Sequence, residues 1–412
     1  MLANKRMIEV VLCGLCLCLP ALTTAQTAAQ TGVQASGTET PGIVMPEAAP
    51  QKAAPAETPA VAKPASSDPA AAKTVRLTLL LPLNSENLGR AATAVREGFL
   101  AAYESEKGTL SLNIVGTTDI PEEIVSSYTN SLADSDIVIG PLTRSGAAAI
   151  VQSGAVRLPT VSLTQLDGEG EVPAQMLNMG LSVEDEAREA AGWIVGNKVK
   201  KAYVLCTSVA WQRRAAKAFA AKARSAGLGT EVIELGSSYG FLSALDVERV
   251  KKAVQAEKSL GAYSVFAALD SAQIKQLREV IGNEPAIYGT SQVNPVPMPD
   301  RITFEHFPEL NGVRLIDIPW QLQPDHAAVM IYPRSVVEAN QKRSADMERL
   351  YALGIDAFRV ALQIAQQQKQ FEVDGVTGRL KVAIDKSGAH FTRIEPFAIY
   401  REGLPTYLSE GH

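Results

Sequence analysis

The chain has 412 residues, 46% of them hydrophobic and 20% charged, which is room for two or three globular units and excludes a fibre, a wholly disordered chain or a polytopic membrane protein. With 39 Lys+Arg against 44 Asp+Glu the net charge is −5. No large positive field exists to collect phosphates, so nucleic acid is not an expected partner.

Lys5 and Arg6 precede an apolar run, Val10 to Leu19, that is broken by Pro20 and followed by the small residues Thr23, Thr24 and Ala25. This is the layout of a secretory signal peptide over residues 1–25, with cleavage expected near Ala25. At 1.5 Å rise the run covers roughly 15 Å, half of a ~30 Å hydrocarbon core, so a retained membrane anchor is the weaker expectation. Cys13, Cys16 and Cys18 each follow a leucine, where a bacterial lipoprotein signal needs a small residue. A lipobox, and with it a lipid anchor to the outer membrane, is therefore not supported. Residues 26–73 have no aromatic side chain, and Pro46, Pro50, Pro55, Pro59, Pro64 and Pro69 recur along them. Such a segment cannot build a core and is expected to be a disordered, extended tether. After cleavage Cys206 alone would remain, ending an apolar run, and it is expected as a buried small hydrophobe rather than a reactive thiol.

From Thr74 onward, short β-branched runs alternate with helical patterns. The spacing predicts strands over Val75–Leu81, Leu110–Val115, Asp136–Gly140 and Leu158–Leu163, with helices over 89–107, 121–133 and 144–153 between them. Ser182 caps a predicted helix over 184–197, and strands at Lys201–Cys206, Glu231–Leu235, Tyr263–Leu269 and Ala286–Tyr288 alternate with helices over 211–226, 247–258 and 271–281. The tail reads differently, with an extended Gly312–Pro319 stretch, a long helix over about 344–368 and strands at Arg379–Ile384 and Ile394–Tyr400. The expected class is α/β: two doubly wound, Rossmann-like lobes joined by a hinge that the chain crosses more than once. The expected boundaries are 74–180 with 292–375 for the first lobe and 181–291 with 376–412 for the second.

Catalytic patterns are scarce. None of the four histidines, His306, His326, His390 and His412, is paired with another ligand-type residue in a metal-binding pattern. A phosphate loop, a dinucleotide fingerprint and a nucleophile elbow are missing from the sequence, so no cofactor, metal or enzymatic role is expected, and a hydrolase is disfavoured. Ser145 fits a helix N-cap better than a nucleophile. Glu122-Glu123 and Glu184-Asp185-Glu186 fall in first helical turns, where carboxylates complement the helix dipole.

In open α/β sheets ligands gather beyond the carboxyl ends of the strands. The loops there carry Ser145, Ser162 and Thr164, which could hold a ligand carboxylate, Asp270, which could hold an ammonium group, and Trp211, on which a sugar or peptide could stack with Arg213 and Arg214 beside it. These are the candidate cleft residues for a small-molecule ligand.

Several segments together carry a family resemblance. They are Leu79-Leu80-Leu81-Pro82-Leu83 with Arg96-Glu97-Gly98-Phe99, Val138-Ile139-Gly140-Pro141-Leu142, Glu184-Asp185-Glu186-Ala187-Arg188 and Thr290-Ser291-Gln292-Val293. Gly312-Val313-Arg314-Leu315 with Asp317-Ile318-Pro319-Trp320, Tyr351 to Phe358, and Gly375 to Leu380 complete the set. Residues 74–412 resemble the type I periplasmic-binding-protein fold, and more narrowly the C-terminal domain of the LppC/LpoA family of penicillin-binding protein activators. The resemblance implies a non-enzymatic protein of the Gram-negative periplasm that contacts a bifunctional penicillin-binding protein, a peptidoglycan synthase, and stimulates its cross-linking. Where full-length family members carry a helical-repeat domain, this chain has its Ala/Pro tether. Trp320, between Pro319 and a polar stretch, is the candidate contact with the partner. The alternative is a solute-binding receptor for an amino-acid or peptide ABC importer, with the cleft residues above holding the solute.

Overall fold

Leu77–Leu81 form an unbroken buried run at the end of β1 (Val75–Leu81), as a strand covered on both faces should. The computed structural model describes residues 74–106, 108–166, 172–257, 262–295, 306–334 and 344–409. The expected signal peptide and tether lie outside them. After β1 come α1 (Gly89–Glu106), β2 (Leu110–Gly116), α2 (Pro121–Ser131), β3 (Ile137–Ile139), α3 (Arg144–Gln152), β4 (Thr160–Ser162) and β5 (Met176–Asn178). The five strands pair in parallel in the order β2-β1-β3-β4-β5, with Val75 opposite Leu110 and Leu77 opposite Ile137.

The chain then crosses to a second unit: α4 (Val183–Gly196), β6 (Lys201–Cys206), α5 (Ala210–Ser225), β7 (Gly229–Glu234), the small hairpin β8 (Ser237–Ser238) and β9 (Phe241–Leu242), α6 (Ala244–Glu257), β10 (Tyr263–Ala267), α7 (Ser271–Ile281), β11 (Ile287–Gly289) and β12 (Arg314–Ile316). It returns to the first unit with α8 (Pro319–Leu322), α9 (Ala327–Ile331), α10 (Ala345–Ala365), β13 (Gln370–Asp374), β14 (Arg379–Asp385) and β15 (Gly388–Ile394), and ends in β16 (Phe397–Arg401) and β17 (Leu404–Tyr407). The second sheet runs β17-β16-β12-β11-β10-β6-β7; β12 to β7 are parallel, and β16 and β17 are antiparallel additions at the edge. This is the expected two-lobed α/β architecture.

The pairing sets where each crossing falls. Arg314–Ile316 still belongs to the second sheet, so the return to the first lobe comes at Asp317–Pro319 and not near residue 292. Val373, Val376, Leu380 and Val382, from β13 to β14, share one core with Leu79, Phe99 and Phe358, so the last crossing comes at Glu395-Pro396 and not near 376. The predicted strand Ile394–Tyr400 is in fact two strands on different sheets, parted at those two residues.

Helices α1 and α10 form the first lobe's tightest contact. A Cβ on Gly354 would lie 2.0 Å from the Val95 carbonyl oxygen, and one on Gly98 would lie 1.8 Å from that of Tyr351. Only hydrogen at both positions permits this approach, which brings Phe99 edge-on to Phe358 at 5.4 Å. In the second lobe Phe219 of α5 stacks on Phe266 of β10 at 4.1 Å. Cys206 is buried, and burial pushes its thiol pKa up, so it packs as the expected small hydrophobe.

Candidate functional site

The six residues singled out from the sequence divide by what already engages them. Ser145 is exposed in the first turn of α3, but the cap is Thr143, whose hydroxyl accepts the Gly146 amide at 3.1 Å. Ser162 is fully buried and donates to the Thr164 carbonyl at 3.2 Å, and Thr164 is itself buried. Asp270 caps α7 in a reciprocal box with Gln273: the carboxylate accepts the Gln273 amide at 2.8 Å, and the Gln273 side chain accepts the Asp270 amide at 3.2 Å. Trp211 is half-buried at the start of α5. Its loop is tied to that of Asp270, because Gln212 accepts the Thr207 amide at 2.9 Å and donates to Gln273 at 2.8 Å. Thus the structure joins Ser162 with Thr164, and the Trp211 loop with the Asp270 loop. Much of the polar capacity expected to face a ligand is spent locally.

Trp320 requires a correction. It is completely buried, its indole N–H donates to Glu348 at 2.8 Å, and the Arg334 guanidinium lies 4.0 Å over its ring. It has no surface to offer a partner. Pro319 starts α8 and turns the indole into the first lobe's core, which the amphipathic look of Trp320–Asp325 conceals.

The carboxylates of the Glu184-Asp185-Glu186 run do more than complement a dipole. Glu184 accepts from Arg144 of α3 at 3.0 Å and from Arg214 of α5 at 2.7 Å, so one side chain binds both lobes. Glu186 is buried and accepts the Ser291 amide at 2.6 Å and the Ser291 hydroxyl at 3.0 Å. Glu123 reaches back to the Thr118 amide at 3.2 Å, closing the loop ahead of α2.

Glu186 belongs to a polar network threaded through the three crossings. Arg349 of α10 grips Asp317 at the second crossing and donates to the Ser291 and Asn294 carbonyls, both at 2.9 Å. Asn294 donates to Asp317 at 2.7 Å. At the first and third crossings, Arg393 donates to the Met179 and Gly180 carbonyls at 2.8 and 2.9 Å. Below it Asp356 gathers the Val376 and Thr377 amides at 3.1 and 2.7 Å. Burial drives the carboxyl pKa values upward, Glu186 to about 8 against its Ser291 amide bond, Glu189 to about 7, and Glu395 well above the usual range. The pairing of Asp317 with Arg349 carried no local sequence signal, because the two lie 32 positions apart.

Beside these crossings is a cavity of about 380 Å³ lined by Trp193, Glu395, Phe397 and Tyr407 on one side and by His326, Asp374 and Arg379 on the other. None of the six sequence-selected residues lines it.

Two parallel-sheet lobes joined by three crossings define a type I periplasmic-binding-protein-like fold. Solved structures agree: that of a "putative branched-chain amino acid ABC transporter" from Chromobacterium violaceum matches with TM-score 0.63 and 32% identity over 79% of this chain and all of the other. The LpoA C-domain from Haemophilus influenzae, a regulator of PBP1A, matches with TM-score 0.63 and 20% identity over 81% of this chain and 99% of that domain. The LppC family, described as "LppC putative lipoprotein", matches residues 46–387, and the chain belongs to that family. Among curated relatives, penicillin-binding protein activator LpoA of Vibrio cholerae serotype O1 is 25% identical over 356 residues, covering 75% of this chain and 55% of the relative. The chain thus spans about half the length of the curated relatives it matches.

Proposed function

We propose that this protein works in the Gram-negative periplasm as a non-enzymatic activator, binding a bifunctional penicillin-binding protein and stimulating its cross-linking of peptidoglycan. The observation that carries the reading is membership of the LppC family over residues 46–387, whose curated relatives are named penicillin-binding protein activators. The local engagement of Asp270 and Ser162 supports it, since these side chains face their own loops more than a solute. Affinity would then come from lobe surfaces complementary to the synthase. The test is reconstitution: the full chain is added to a purified bifunctional synthase with its lipid-linked substrate, and the cross-linked fraction of the product is measured. A rise that saturates with the protein is expected. No rise, together with no co-purification of a synthase, overturns the reading.

A second reading is favoured by the Chromobacterium violaceum structure, which shares 32% identity with this chain. There the cleft would hold an amino acid or peptide for an importer, and native mass spectrometry of the purified chain would show the bound solute.

A further inference from the structure

The cavity beside the crossings joins two independent features. Glu395 lies in its wall, is only 6% exposed, and has no hydrogen-bond donor on its carboxylate among the described residues. On the same wall are half-buried aromatic rings: Trp193 of α4 stacks on Phe397 of β16 at 4.5 Å and 23°, and Tyr407 of β17 also lines the cavity.

Glu395 neighbours Glu186 and Glu189 of α4, Asp317 of the second crossing and the guanidinium group of Arg393 from β15, and Arg349 from α10 acts on Glu186. Across the cavity, His326 pairs with Asp374 at 3.4 Å, and Arg379 turns toward Glu372 at 3.5 Å. A buried carboxyl group lacking donors, set beside aromatic rings in a cavity wall, is an environment that a cation suits.

We propose that this cavity binds a small organic cation, an aliphatic ammonium or guanidinium group, with its charge on Glu395 and its carbon chain against Trp193, Phe397 and Tyr407. A volume of about 380 Å³ suits a short-chain ligand. The site is separate from the cleft loops and does not rest on the synthase reading. Because burial and, after it, the neighbouring acids favour the protonated Glu395, an arriving cation displaces a proton to solvent. Affinity therefore falls as pH falls. Since the lining comes from both lobes at their crossings, an occupied site also ties β16 and β17 to the β13–β15 sheet.

The test is calorimetric titration of the full chain with pentylammonium, pentylguanidinium and the neutral isostere 1-pentanol, in buffers of differing ionisation enthalpy. Saturable binding of a cation, absent with pentanol and accompanied by proton release, is expected. Glu395→Gln, checked by circular dichroism, should weaken it about tenfold through loss of the charge-assisted contact. Three results would each overturn the proposal: no saturable heat for either cation up to about 10 mM, equal affinity for pentanol, or full affinity in folded Glu395→Gln. The first two need only the wild-type chain, so misfolding of the variant cannot shield the proposal.

Discussion

Arg349 and Asp317 meet in a two-pronged ion pair, Nε to Oδ1 at 2.9 Å and Nη2 to Oδ2 at 2.7 Å, with side chains 6% and 0% exposed. Helix α10 of the first lobe thereby holds the crossing that leaves the second. The same guanidinium binds two carbonyls of the 291–294 turn, so its donors are almost all used. Removing one partner leaves the other charge buried alone. Arg349→Met should cost about 3–5 kcal/mol in urea unfolding, whereas an apolar pair replacing both residues should cost much less.

The α1–α10 contact makes an equally local prediction. Gly354→Ala puts a methyl 2.0 Å from the Val95 carbonyl, a backbone atom that cannot rotate away. The helices must separate, loosening the Phe99–Phe358 contact, and a loss of about 1–3 kcal/mol is expected from denaturant midpoints. Gly192→Ala, where an added Cβ meets nothing within 4 Å, serves as the control and should be neutral or slightly stabilising.

For the crossing carboxylates the sign follows from linkage. Glu186 and Glu189 hold their protons in the folded state up to about 8 and about 7, against 4.5 when unfolded. The folded chain therefore binds more protons between those limits. Stability from these groups is full below about 4.5 and is lost as pH rises toward 8. Their titration is shared, so the loss should appear as one broad slope in the urea midpoint. Glu189→Gln should flatten that slope without removing the Ser291 contacts, which belong to Glu186.

The cleft substitutions separate capping from ligand binding. Asp270→Ala deletes the α7 capping box and should cost about 1 kcal/mol in thermal unfolding. Ser145→Ala, at an exposed side chain whose helix is capped by Thr143, should change stability by less than about 0.5 kcal/mol. On the activator reading neither substitution alters stimulation of a synthase.

Much of the fold was legible because its signals are local. The apolar run of Leu77–Leu81 and the Ser182 cap each act within one strand or one turn, so periodicity and capping chemistry place α and β elements before any tertiary contact exists. Short strands such as β5 and β17 escaped, since three or four residues carry too little pattern. The family segments were also visible, and the structure supplies their physics. Gly98 and Gly354 permit a helix contact, while Asp356 collects the amides of Val376 and Thr377.

The sites followed another rule. Trp320 after Pro319 is open from sequence to a partner contact or a core position, and only the packed first lobe decides that the indole turns inward to Glu348. Glu186 reads as one of three equivalent acids in a first turn, yet the return of residues 291–294 makes it a buried acceptor 105 positions from its donor. Glu395 and Trp193 lie 202 positions apart and share a cavity wall because β16 is added antiparallel to β12 after the final crossing. Alternating patterns and caps depend on neighbours a few residues away, so the chain dictates them alone; burial, charge pairing and cavity walls depend on which distant segments the crossings bring together, and only the folded chain settles those.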